Sequence, residues 1–296
     1  MEMDRSGLEQ RAVLVSYSAR TWTGEAPDKK AGRAISEKHG NATGTTRTTK
    51  TLVDPAELKR NSKAGNAVYM FYRENTLPWE DRRGGARLLP GANYDRFTAG
   101  IRGLIQAAEE RAEEFSAIYP RLVEDYRPQL NGLYDPANYP DPERIREEFS
   151  ISISYAPLPV SPESLTLKFL GRADLEELRG RIGAQWKTQE DKATGDLYQR
   201  LAEKVGHMAT TLADPEKVFR DSLVTNLIEL ADLIPSLNFT ADPDLDELAK
   251  ATRAKLAAID PETLRTDLKI RGQIAGEAGA LLAQITGAGS RFIDLS

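Results

Sequence analysis

Between Phe97 and Leu122 apolar residues recur at steps of three and four: Phe97, Ile101, Leu104, Ile105, Ala108, Ala112, Phe115, Tyr119 and Leu122. The other face carries Glu109, Glu110, Arg111, Glu113 and Glu114, so the pattern predicts a helix with one packed and one wet side. Pro120 is expected to kink or end it, a second piece running on to Leu130 before Asn131-Gly132. The period then shortens to two. Phe149, Ile151, Ile153 and Tyr155 alternate with Ser150, Ser152 and Ser154, which predicts a half-buried strand. Residues 165–170 (LTLKFL) alternate again and, after Pro157, Pro159 and Pro162, read as the returning arm of a hairpin. Near the start, residues 12–23 open on a β-branched and aromatic run that predicts another strand.

From Arg172 onward the pattern is helical. Leu175, Leu178, Ile182 and Trp186 form one stripe, and Leu197, Leu201, Val205, Met208 and Leu212 form another after a polar interruption at 187–195. Further helices are expected over 215–234, 243–259 and 261–285. Asp followed by Pro recurs at 54–55, 141–142, 214–215, 242–243 and 260–261. Asp can cap an orphan N–H and Pro loses no needed donor at the first helical position, so each pair predicts a helix start. Residues 28–39 read as a short basic helix, and the Thr-rich 40–51 as either a flexible loop or a polar edge strand. The expected fold is α+β and mostly helical: a mixed domain with a β-hairpin over 1–170 and a helical bundle over 171–296.

Charge divides the chain further. Residues 1–100 hold 17 Lys+Arg against 12 Asp+Glu, and the rest holds 23 against 33, so the first third is basic and the bundle acidic. No cysteine is present, which excludes disulfides, thiolate nucleophiles and cysteine-ligated zinc. No apolar run approaches the roughly 20 residues needed to cross a bilayer, the start does not read as a secretory signal, and a cytoplasmic place in a bacterium or infected host cell is expected.

Catalytic patterns are lacking. Gly40 to Gly44 has no lysine where a phosphate loop needs one, and the glycines at 272, 276, 279, 287 and 289 read as positions of close helix contact. Ser36, Glu37 and His39 are close in sequence only, and His207 beside Met208 reads as a packed or half-exposed core residue. The acid pairs at 109–110, 113–114, 147–148 and 176–177 read as solvated helix faces. No cofactor or metal is implied, and the reading is non-enzymatic.

What remains is cations interleaved with rings. Residues 27–73 carry ten Lys+Arg against four acids, and Tyr69, Phe71, Tyr72 and Trp79 follow closely. Single-stranded nucleic acid is held by such a combination, cations following phosphates while each stacked ring adds about 1–3 kcal/mol. The candidate contacts are Lys50, Arg73, Trp79, Arg82, Arg83 and Arg87. The rings fit a packed core equally, with the cations as ordinary surface.

The run Asn75-Thr76-Leu77-Pro78-Trp79 with Asp81, then Arg87-Leu88-Leu89-Pro90 and Tyr94, Tyr139-Pro140 and Tyr155-Ala156-Pro157-Leu158-Pro159, resembles an uncharacterised family of bacteriophage and prophage proteins. The likeness spans residues 22–170 and carries no activity. It implies a setting in phage DNA metabolism near AAA+ ATPases of the MoxR-like type. The expectation is a protein that binds nucleic acid, chiefly single-stranded DNA, through its first third. The alternative is a helical adaptor that self-associates into a homo-oligomer or partners a AAA+ ATPase.

Overall fold

A β-branched opening, a valine-leucine centre and no early proline put Ala12–Arg20 (β1) into a sheet. The computed structural model describes residues 11–42, 45–80, 82, 84–159, 161–162, 165–256 and 259–293. β1 is followed by Glu25–Pro27 (β2), Lys29–His39 (α1), Thr49–Thr51 (β3), Pro55–Glu74 (α2), Leu77–Pro78 (β4) and Arg87–Pro90 (β5). After these come Tyr94–Leu130 (α3), Ser150–Pro157 (β6), Arg172–Ala213 (α4), Ser222–Leu237 (α5), Pro243–Leu256 (α6), Pro261–Thr266 (α7) and Leu268–Gly289 (α8). The expected α+β class, mostly helical, is what forms.

Four strands make one sheet in the order β4-β5-β1-β6, with Val13 opposite Leu89 and Leu77 opposite Leu88 in antiparallel registers. β2 and β3 make a separate antiparallel pair, Ala26 opposite Lys50. The chain divides into two compact units without a single cut at residue 170: residues 1–16, 73–97 and 154–296 form the first, and 17–72 with 98–153 the second. The first unit's core gathers Leu77, Trp79 and Leu88 with Trp186, Leu197, Val205, Leu227, Leu245, Ile274 and Leu281. The second unit's core is Val53, Ala112, Phe115, Tyr119, Ile145 and Phe149, with Trp22 and Leu58 packed against it.

Several expectations change. β6 forms, yet residues 165–170 are no strand: Leu167 and Leu170 close a turn, Phe169 is 80% exposed, and β6 neighbours β1 instead. Three prolines between the two alternating runs keep the chain from the tight reversal that a hairpin needs. α3 continues through both Pro120 and Pro128. A helix-interior proline costs about 3 kcal/mol, whereas Phe115 and Tyr119, the latter immediately before Pro120, are fully buried and each contributes about 1.5–3 kcal/mol. Packing beside Pro120 therefore offsets that one break.

The polar 187–195 segment does not interrupt α4, because Glu190, Ala193, Thr194 and Gly195 lie on its buried side. A Cβ at Gly195 would stand 1.9 Å from Ile293 Cγ2, so close contact is made there, whereas Gly272, Gly276, Gly279 and Gly287 face open space. Of the Asp-Pro pairs, those at 54, 242 and 260 begin α2, α6 and α7. Asp214 starts only a turn, and α5 waits until Ser222. Asp267 splits the expected last helix, its carboxylate accepting from the N–H groups of Lys269 (2.9 Å) and Ile270 (3.0 Å) to cap α8.

Candidate nucleic-acid interface

The described candidate contacts have definite local positions. Trp79, just after β4, is 5% exposed and meets the rings of Trp186 and Phe239. It is core, and no base can stack on it in the folded state. Arg87 on β5 turns back to the carboxyl end of α2, donating to Thr76 Oγ1 (2.8 Å) and to the carbonyls of Thr76 (2.8 Å) and Arg73 (3.3 Å). Arg200 of α4 reaches the same end, donating to the carbonyls of Glu74 (2.7 Å), Arg73 (3.1 Å) and Thr76 (2.8 Å). A helix terminus leaves carbonyls without donors, and two guanidinium forks answer them here. Arg73 supplies a carbonyl to both, its side chain being exposed.

Arg82 donates through Nε to Glu80 (2.8 Å), and the same carboxylate oxygen accepts the Ala86 N–H (3.0 Å). The Ala86 N–H, with Arg82 after it, holds the Glu80 carboxyl below the ordinary carboxylate range. Arg83 and Asp81 lie outside the described residues. Lys50 belongs to the second unit, the other described candidates to the first.

Around Lys50 the second unit gathers a different set. Asp28 caps α1, accepting from the N–H groups of Lys30 (3.1 Å) and Ala31 (3.0 Å), while its backbone exchanges bonds with Thr48 across the β2–β3 pair. That corner presents two adjoining hollows. One, of about 420 Å³, is lined by Lys29, Arg33, Arg47 and threonines 46, 48 and 49. The other, of about 460 Å³, is lined by Lys29, Lys30, Lys50, Tyr134, Asp135 and Asn138, and Lys50 Nζ donates to the Leu133 carbonyl. Pro27, Asp28 and Lys29 are common to both. Among the described residues Lys29, Lys30, Arg33 and Arg47 form no ion pair, and all four are exposed. Tyr134 is half-buried, with the Arg127 guanidinium 4.6 Å from its ring centroid.

The ring at this surface is Tyr134, and sequence reasoning missed it because Trp79 stands nearer the cations along the chain. The signal for the cations was present: residues 27–50 hold six Lys+Arg against two acids. Tyr69, 40% exposed, and buried Tyr72 pack with Tyr17, whose hydroxyl is pushed up first by burial and then by Tyr69. Among the described residues no group of three or more His, Asp or Glu could hold a metal, and no helix is long and apolar enough to cross a membrane. No family model, no curated protein and no solved structure matches the chain.

Proposed function

We propose that the protein binds single-stranded nucleic acid along the α1–β3 corner of the second unit, with Lys29, Lys30, Arg33, Arg47 and Lys50 following the phosphates. One observation carries the reading: four exposed cations without carboxylate partners among the described residues line two adjoining hollows. Cations without ion partners in a concave surface, where they outnumber Asp28 and Asp135, raise the local concentration of a polyanion. Thr46 and Thr49 add hydroxyls able to donate to phosphate or sugar oxygens, that of Thr48 being spent on the Asp28 carbonyl (2.6 Å). Arg87 and Trp79 leave the proposed contact set because their groups are spent on the α2 end and on the core.

The test is fluorescence anisotropy of a labelled oligonucleotide with the wild type and with Lys29→Glu/Arg33→Glu/Arg47→Glu. Wild-type binding is expected to weaken steeply with salt, and each lost phosphate contact should flatten the logarithmic salt slope by about 0.7. Absence of binding by micromolar protein in about 50 mM salt, or a triple variant that binds as the wild type does, would overturn the proposal.

A further inference from the structure

A second cationic hollow, of about 320 Å³, lies in the first unit between the end of α4 and the start of α5. Lys204, His207 and Thr211 enter it from α4 at steps of three and four, which places them on one helix face. Lys217 and Arg220 come from the connecting loop and Ser222 from the first turn of α5, where the helix dipole is positive. His207, expected to be a packed or half-exposed core residue, is exposed here. Among the described residues no carboxylate lines the hollow, although residues 101–296 are acidic as a whole. Among the described residues Lys204, His207, Lys217 and Arg220 form no ion pair, and the nearby Asp221 carboxylate is taken by Arg265.

An independent observation concerns Thr211. It lines the hollow, is 2% exposed, and its hydroxyl has no hydrogen-bond partner among the described residues. Its neighbour Thr210 donates to the Gly206 carbonyl (2.9 Å), the usual way a helical threonine satisfies itself. Thr211 does not, and a buried hydroxyl left so is expected to serve a ligand or a water. The loop behind is already held: Arg271, 4% exposed, donates to the carbonyls of Leu212 (3.2 Å), Thr211 (3.1 Å), Lys217 (2.8 Å) and Asp214, and stands 5.4 Å from the Phe219 ring. The cations therefore sit on a braced frame, and little ordering remains to be done on binding.

We propose that this hollow binds the phosphate group of a small phosphomonoester. Three permanent cations, a ring N–H and two hydroxyls match a dianion with three acceptor oxygens better than a single carboxylate. The volume lies at the small end of the roughly 300–1,000 Å³ typical of small-molecule sites, and Phe219 and Leu223 give the organic part an apolar wall.

Isothermal titration calorimetry of the whole chain with ribose 5-phosphate, and separately with inorganic phosphate, tests this. Ribose 5-phosphate is expected to bind with a Kd of about 1 mM or tighter, and Lys204→Glu/Arg220→Glu to weaken it at least tenfold. Thr211→Val, which removes only the orphan hydroxyl, should weaken binding about threefold or more without lowering the melting temperature. Lys29→Glu/Arg33→Glu/Arg47→Glu should leave ester binding unchanged, so this proposal and the nucleic-acid reading fail separately. No heat up to about 10 mM ester, equal binding of inorganic phosphate, or full binding by the Lys204/Arg220 variant would overturn the assignment.

Discussion

Trp79 and Trp186 meet edge to face, their ring centroids 5.6 Å apart at 86°. Both are buried, and the Phe239 ring stands 6.5 Å from that of Trp79 at 75°. Trp79→Ala removes a ring that the first unit's core is built around, so a loss of about 3–5 kcal/mol is expected in urea unfolding. Oligonucleotide affinity, measured well below the unfolding midpoint, should stay within about twofold of wild type. A stable variant that had lost nucleic acid would return Trp79 to the binding surface.

Arg87 and Arg200 share the Thr76 carbonyl, each at 2.8 Å. Lysine cannot reproduce a fork that reaches several acceptors, so Arg87→Lys or Arg200→Lys should each cost about 1–3 kcal/mol. Because they share an acceptor, the double variant should lose less than the sum, by about 0.5 kcal/mol or more. Thermal unfolding of the four proteins completes the cycle, and strict additivity would mean that the forks act independently.

Two glycines in long helices should respond with opposite signs. Gly195→Ala drives a Cβ into Ile293 and is expected to cost about 1–3 kcal/mol. Gly276 on α8 faces open space, so Gly276→Ala removes backbone freedom from the unfolded chain and should stabilise by about 0.5–1 kcal/mol. Denaturant midpoints read both, and a common sign would contradict the packing described.

The lowered Glu80 carboxyl makes stability depend on pH in a fixed direction. A group whose folded value is depressed contributes fully above its ordinary value, 4.5, and loses that contribution as the pH falls through the lowered one. The advantage of wild type over Glu80→Gln, seen in melting temperature at neutral pH, should therefore shrink by about pH 3. An advantage that grew on acidification would reverse the assignment.

Regular periodicity made β1 and the packed face of α3 legible, because one face of each is buried and its spacing records that, and it marked β6 through Ile151 and Ile153, which are half-buried. The join across 187–195 was not legible, since Glu190 and Thr194 are polar yet buried. The arm at 165–170 failed for the opposite reason: alternation names a strand, and a strand also needs a neighbour. Of the basic surface, the charge was visible and the half-buried Tyr134 beside it was not, because burial separates Trp79 from Tyr134 and composition carries no burial. Thr211 left no trace in the sequence, as an orphan hydroxyl is defined by atoms that fail to arrive.

Arg271 stands 60 positions beyond Thr211, whose carbonyl it holds. Its positive charge meets backbone carbonyls and the Phe219 ring at the end of α4, and those carbonyls have to wait for it during folding. A chain emerging in order from the ribosome would complete α5, α6 and α7 before α4 could be finished, which makes the docking of α8 a late, long-range step.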